Sequence, residues 1–118
     1  MLKFADSGKR RQFKTGAQRD MSEGKGRMDL MPPRALIAVS KIYEAGCIKY
    51  GDRNWEKGIP LSRFLDSGLR HIMKWQMGMK DEPHLWQAAW NLLCLIETDE
   101  RIKEGLLPKE LNDLPFNQ

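Results

Sequence analysis

A row of polar residues interrupts the most apolar part of the chain. Asp81, His84 and Asn91 recur at spacings that place them on one side of a helix, and Asn91 stands within the apolar run AAWNLLCLI. A buried amide without partners costs about 1–3 kcal/mol, so Asn91 needs a partner. Two interpretations remain open, a structural hydrogen bond to a neighbouring helix or a contact with a bound metal ion. These three residues are called the polar row below.

A carboxylate on an earlier helix is the natural counterpart of the polar row. Glu44 lies off the apolar face of its helix, where it could pair with Lys41 at the surface or bind a metal ion. The only histidines are His71 and His84; a histidine at a helix edge is often structural, but two of them near carboxylates also fit a site. We expect Glu44 and the polar row to face each other and to hold a divalent cation, which would satisfy carboxylate and amide together.

One loop and the N-terminal arm carry groups suited to a nucleotide. The loop KYGDRNWEKG combines cations, which can neutralise phosphates, with aromatic rings, which can stack on a base. Residues 1–34 hold nine basic and four acidic residues, a charge that suits a polyanion. The alternative is a solvated loop with its tryptophan packed into the bundle and an arm charged for solubility. The candidate substrate-binding residues are Tyr50, Asn54, Trp55 and Lys57 in the loop and Arg19, Lys25 and Arg27 in the arm.

Proline and glycine delimit the elements that must position these groups. Apolar residues recur at helical spacing in three segments, and no segment has the pattern of a strand. The third segment is apolar nearly all round, which predicts a central helix. The sequence therefore predicts an all-α fold, a single domain built as a bundle of three main helices. The expected parts are a basic extended arm (1–31), a helical core (32–105) with helices at 32–48, 61–77 and 83–104, and a tail (106–118) with a short turn around Lys109–Leu111.

The composition is that of a soluble globular protein. Of the 118 residues, 41% are hydrophobic and 31% are charged, and no apolar run approaches the roughly 20 residues that span a bilayer. The N-terminus lacks the apolar core of a signal peptide. Cys47 and Cys94 occur in apolar helical patterns, which predicts reduced core thiols. We expect a cytoplasmic protein with no membrane partner.

Three stretches together resemble one enzyme family. TGAQRDMSEGKGRMDLMPP, KYGDRNWEKGIPLSRFLDSGLRH and DEPHLWQAAWNLLCL resemble the phage and bacterial dATP/dGTP diphosphohydrolases, MazZ-type members of the all-α MazG-like nucleotide pyrophosphohydrolases. The resemblance implies Mg²⁺- or Mn²⁺-dependent hydrolysis of purine deoxynucleoside triphosphates, dGTP or dATP, to the monophosphate and pyrophosphate. It also implies a core completed by association into a homo-oligomer, a dimer or a tetramer, and a place in the bacterial cytoplasm if the chain is phage-encoded.

The sequence departs from the metal-binding pattern that this resemblance implies. MazG-like enzymes bind metal through an ExxE pair on one helix and an ExxD pair on a later one. Here Lys41 stands three residues before Glu44, and Ala88 and Asn91 stand where the later pair would be. Asp81 and His84 could replace the lost ligands. We therefore expect Glu44, Asp81, His84 and Asn91 as metal ligands and Glu44, Lys49, Arg70 and His71 as catalytic residues.

Two other functions fit parts of the sequence. Arg63, Arg70 and Lys74 share one face of the second helix, so with the basic arm they could form a small nucleic-acid-binding phage protein. A non-catalytic helical assembly subunit is the third possibility. Nucleotide hydrolysis is the expected function, and nucleic acid is not the expected partner.

Overall fold

Three long helices carry most of the backbone in the computed structural model, which describes all 118 residues. The chain divides into two units, Met1–Met31 and Pro32–Gln118. The second unit contains α1 (Pro33–Tyr50), α2 (Leu61–Gln76) and α3 (His84–Lys103). The predicted helical fold class with three main helices is therefore confirmed, and the helix ends lie close to the predicted ones.

Proline and glycine fix the helix ends as the sequence suggested. Pro32, Pro60 and Pro83 directly precede the three helices, where a missing backbone N–H leaves no intrahelical bond unmade. α1 stops at Gly51, whose φ of +89° is a conformation that glycine adopts readily. The Gly51 N–H donates to the carbonyl of Cys47, which closes the last turn.

The core lies along α3, which packs against both α1 and α2. This confirms its prediction as the central helix. α2 packs closely against it at Gly68, where an added Cβ would lie 3.3 Å from Cβ of Asn91. The residues of α3 that are buried are His84, Ala88, Asn91, Cys94 and Thr98.

The N-terminal unit contains a short antiparallel hairpin. Strand β1 (Arg10–Gln12) pairs with β2 (Gln18–Asp20), with Arg11 opposite Arg19. The prediction that no strand would form was therefore wrong. Strands of three residues are too short for a period-two pattern to be visible in the sequence, and the tight turn depends on Gly16, whose φ is +90°.

The tail contains one short helical turn, and neither cysteine forms a disulfide. A 3₁₀ turn forms at Lys109–Leu111, where a short turn was predicted. Both cysteines are unpaired, as expected. Cys94 is buried, which raises the pKa of its thiol to about 11, but Cys47 is exposed rather than in the core because the last turn of α1 borders a cavity. None of the helices has the length and apolar character needed to cross a bilayer.

Candidate active site

Two histidines and a carboxylate form a hydrogen-bonded chain where α2 meets α3. Nδ1 of His71 lies 2.9 Å from Nδ1 of His84, and Nε2 of His84 lies 2.8 Å from Oδ1 of Asp81. An ionised carboxylate only accepts hydrogen bonds, so His84 donates from Nε2, and a neutral His84 accepts at Nδ1 from His71. The His84 side chain is fully buried, so contacts at both nitrogens fix the orientation of its ring.

The charges of this histidine chain follow from burial and hydrogen bonding. Burial lowers the pKa of His71, and the neighbouring His84 lowers it further, which keeps the ring neutral at pH 7. The hydrogen bond from His84 lowers the pKa of Asp81. At neutral pH His71 is therefore a neutral imidazole and Asp81 an ionised carboxylate, and the ring of His84 joins them.

Asp81, Glu82 and His84 together form a candidate metal-binding cluster. One possible ligand atom from each residue lies within 4.8 Å of the other two. Both carboxylates are exposed, whereas the histidine is buried. Carboxylate oxygens suit Mg²⁺ or Mn²⁺, and an imidazole nitrogen is better matched to Mn²⁺. Sequence reasoning included Asp81 and His84 and missed Glu82, although its place beside Asp81 at the start of a helix could have indicated it.

The third member of the polar row, Asn91, makes a local hydrogen bond. It is buried, and its Nδ2 donates to the backbone oxygen of Gln87, 2.8 Å away. This bond is made within α3 and not to a neighbouring helix, as the structural interpretation had expected, and the amide oxygen is not used in it. Its Cβ packs close to Gly68 of α2, so the residue belongs to the α2–α3 packing.

Glu44 lies in the wall of a different cavity. This cavity has a volume of about 630 Å³ and lies between α1, the loop that follows it and α3. It brings Glu44 together with three predicted substrate-binding residues, Tyr50, Asn54 and Trp55. We call it the loop cavity. The side chains that line it include the rings of Tyr43, Tyr50, Trp55 and Trp90, the thiol of Cys47 and the carboxylates of Glu44, Asp52 and Glu56.

An arginine of α3 fastens the loop that forms one wall of the loop cavity. Arg101 lies with its guanidinium carbon 5.7 Å from the ring centroid of Trp55 and with Nη2 3.4 Å from Oε1 of Glu56. The same Glu56 oxygen accepts a hydrogen bond of 2.6 Å from Arg53. Trp55 also meets Tyr43 edge to face, with centroids 5.8 Å apart. Trp55 thus packs against the bundle and also lines the cavity.

The basic side chains considered for contact with phosphates differ in whether they are already paired with a carboxylate. Lys49 is exposed, with Nζ 5.0 Å from the ring centroid of Tyr50, and Lys57 is exposed in the loop. Arg70 instead pairs with Asp66 one turn earlier on α2. Lys49 and Lys57 are therefore the more readily available cations of this unit.

The three candidate residues of the arm lie within or next to the hairpin unit. Arg19 is exposed in β2. Lys25 has its Nζ 3.8 Å from Oδ2 of Asp20. Arg27 donates two hydrogen bonds of 2.8 Å to the carboxylate of Asp29. Arg19 is thus the least neutralised of the three.

Comparison with known families covers most of the chain. The family described as dATP/dGTP diphosphohydrolase, N-terminal, matches residues 15–106. This segment contains all three helices, the loop cavity and the histidine chain. Neither the curated proteins nor the solved structures include a match to this chain. Since the matched segment is well over half of the sequence, the chain belongs to the dATP/dGTP diphosphohydrolase N-terminal family.

Proposed function

We propose that this protein hydrolyses purine deoxynucleoside triphosphates, dGTP or dATP or both, to the monophosphate and pyrophosphate. The observation that carries the proposal is the family match over residues 15–106, whose description names this substrate pair and a diphosphohydrolase. We place the reaction in the nucleotide metabolism of a phage or its bacterial host and propose that it depends on Mg²⁺ or Mn²⁺.

The reaction is a substitution at phosphorus. A water oxygen forms a bond to the α-phosphorus, the bond from that phosphorus to the oxygen bridging the α- and β-phosphates breaks, and pyrophosphate leaves. The proton lost by the water passes to a base or to solvent. The protein must therefore hold a polyanion, orient one water molecule and stabilise the charge that develops on the leaving group.

The donor set of this chain fits a divalent cation. Asp81 and Glu82 offer carboxylate oxygens beside the imidazole of His84. Glu44 and Asn91 are also proposed as ligands, although neither belongs to that cluster: Glu44 is an exposed carboxylate in the wall of the loop cavity, and the amide oxygen of Asn91 is free of its hydrogen bond to Gln87. A bound Mg²⁺ or Mn²⁺ would neutralise phosphate charge and make a water molecule more acidic.

The remaining roles fall to side chains already placed. His84 holds the Asp81 carboxylate, and His71 holds His84. Lys49 and Lys57 are proposed to contact phosphates directly, whereas Arg70 would first have to release Asp66. Arg19, Lys25 and Arg27 are proposed as further phosphate contacts from the arm, and Tyr50, Asn54 and Trp55 as contacts to the nucleoside.

A direct assay tests the proposed reaction. The purified protein is incubated with each of the four deoxynucleoside triphosphates and Mg²⁺ or Mn²⁺, and both pyrophosphate and monophosphate are measured. We expect equal amounts of the two products from dGTP or dATP and far less from the pyrimidine substrates. Release of inorganic phosphate with a diphosphate product, or no turnover of any substrate with either ion, would refute the proposal.

We also propose that the protein works as a homo-oligomer, a dimer or a tetramer. Large apolar side chains of α3 remain exposed in the single chain, including Trp86 at 38%, Leu93 at 37% and Ile96 at 58%. A second chain would remove such a surface from water. Light scattering should give a multiple of 13.7 kDa; a stable monomer at micromolar concentration would contradict this.

A further inference from the structure

We propose that the loop cavity is the site for the purine base and that Asp52 reads the hydrogen-bonding edge of that base, which favours guanine over adenine. This inference rests on the proposed function for its substrate class and adds the base preference and the residue that sets it.

The cavity has the size and lining of a nucleoside site. Its volume of about 630 Å³ falls within the range of about 300–1,000 Å³ that is usual for small-molecule pockets. Tyr43 meets Trp55 and Trp90 with ring centroids 5.8 Å apart in both cases, which makes a continuous aromatic wall. Tyr50 is 60% exposed and offers a further ring at the rim. A flat heterocycle can stack on such rings whatever its polar groups, so the rings supply affinity without choosing the base.

The choice of base must come from the polar groups of the cavity. Of its three carboxylates, Glu56 is already matched by Arg53 and Arg101, and Glu44, which is also exposed in this wall, is assigned to the proposed metal ligands. Asp52 accepts a hydrogen bond from the thiol of Cys47, which is a weak donor. Asp52 is exposed and has capacity to accept further hydrogen bonds.

The backbone around Asp52 is held in an uncommon shape. Gly51 has φ of +89°, and Arg53 has φ of +59° with ψ of +21°, which is the left-handed region that residues other than glycine seldom occupy. Asp52 stands between them at the point where the chain leaves α1. The ion pair of Arg53 with Glu56 and the contact of Trp55 with Arg101 support this conformation of the loop.

The chemistry of the two purines differs at the edge that a carboxylate reads. Guanine presents two donors, the N1–H and the 2-amino group, and an ionised carboxylate accepts from both. Adenine presents an acceptor at N1, which a carboxylate repels, beside a single amino donor. A well-placed two-bond contact commonly discriminates between bases by a factor of about ten or more. Hypoxanthine keeps the N1–H and lacks the 2-amino group, so its affinity should lie between the other two.

Binding of monophosphates tests the inference separately from catalysis. Tryptophan fluorescence is measured as dGMP, dIMP or dAMP is added to the wild-type protein, first without and then with Mn²⁺. We expect affinity to fall in the order dGMP, dIMP, dAMP, with about tenfold or more between the first and the last. Equal affinities, or tighter binding of dAMP, would overturn the proposal without any mutation.

Two variants then assign the preference to its residue. Asp52→Asn replaces the two acceptor oxygens of the carboxylate by one amide oxygen, which accepts, and one NH₂ group, which donates. The preference for dGMP over dAMP should therefore shrink at least fivefold or reverse. Glu104→Gln removes an exposed charge that does not line the cavity, and it should leave the preference unchanged. Trp55→Phe should reduce the fluorescence response, whereas Trp75→Phe, outside the loop cavity, should not. A dGMP preference that survives in Asp52→Asn refutes this inference even if dGTP is hydrolysed, and a preference lost in Asp52→Asn supports it even if no triphosphate is.

Discussion

Nδ1 of His71 and Nδ1 of His84 face each other at 2.9 Å, joining α2 to the first turn of α3. The second nitrogen of His84 holds Asp81, so His71 acts on that carboxylate through one intervening ring. His71 is thus a positioning residue of the candidate metal cluster.

Loss of His71 should weaken metal binding by more than the accompanying loss of stability can account for. His71→Ala leaves Nδ1 of the buried His84 without a partner, which should cost about 1–3 kcal/mol of stability. Removing a group that orients a ligand typically lowers metal affinity by about 10–100-fold. We would measure Mn²⁺ affinity by electron paramagnetic resonance and stability by urea unfolding. The control is Val39→Ala, which truncates a buried side chain on α1 and should lower stability without changing Mn²⁺ affinity. If both variants lower Mn²⁺ affinity equally, His71 does not position the metal cluster.

Glu44 and Asn91 provide the sharpest test of the proposed metal ligands. If both contribute, Glu44→Gln should lower kcat by about two orders of magnitude or more, and Asn91→Ala should weaken Mn²⁺ binding. Asn91→Ala should also lower stability, because the amide is buried and hydrogen-bonded to Gln87. Turnover, Mn²⁺ affinity and thermal stability are measured for both variants. Near-normal turnover with intact metal binding in both would restrict the site to the Asp81, Glu82 and His84 cluster.

The sequence predicted the helices well because their ends depend on local residues. Pro32 and Gly51 act within one turn of the boundary they set, and their effect can be read without knowing the rest of the fold. The Asp81–His84 contact was also within reach, because the two residues are only three apart along the chain, although Asp81 lies in the bend before α3 and not on the helix itself.

Contacts between elements could not be predicted in the same way. The His71–His84 pair depends on how α2 is rotated against α3, which the spacing within either helix does not determine. The bond between Arg101 and Glu56 joins the far end of α3 to a loop, and the position of Asp52 in the loop cavity depends on a left-handed residue that is not glycine. None of these has a periodic signal in the sequence.

Charge removal in the arm should affect substrate affinity and leave folding nearly unchanged. Lys25→Ala and Arg27→Ala should each raise KM for dGTP by up to about tenfold if they contact phosphates, with little change in Tm because both side chains are exposed. Asp29→Asn, which frees Arg27 from its ion pair, should lower KM or leave it unaltered. Steady-state kinetics and thermal melts check this; a lowered Tm with unchanged KM would make the arm structural.

The close approach at Gly68 should make this position intolerant of a large side chain. A Cβ there would already lie 3.3 Å from Cβ of Asn91, so Gly68→Leu should overpack the α2–α3 interface and cost about 1–3 kcal/mol. Gly46→Ala is the matched control, because an added Cβ at Gly46 meets no atom within 4 Å and alanine favours a helix by up to about 1 kcal/mol. In urea unfolding, the free energy of unfolding should therefore fall for Gly68→Leu and rise for Gly46→Ala. An unchanged free energy of unfolding in Gly68→Leu would argue against this packing.

The two thiols should differ in reactivity and in its dependence on pH. Cys47 is exposed while Cys94 is buried, so a disulfide reagent should modify one thiol quickly in the folded protein. The hydrogen bond to Asp52 raises the pKa of Cys47 by favouring its protonated form, and only the thiolate reacts. The rate should consequently keep rising with pH beyond the range of an ordinary thiol, and Asp52→Asn should speed the reaction at pH 8 by bringing the pKa down.

Bound dGMP should slow modification if it occupies the loop cavity beside Cys47, and Cys47→Ser should abolish the fast phase. Two thiols reacting at one rate, or a slower reaction in Asp52→Asn, would contradict the Cys47–Asp52 contact on which the assignment of Asp52 partly rests.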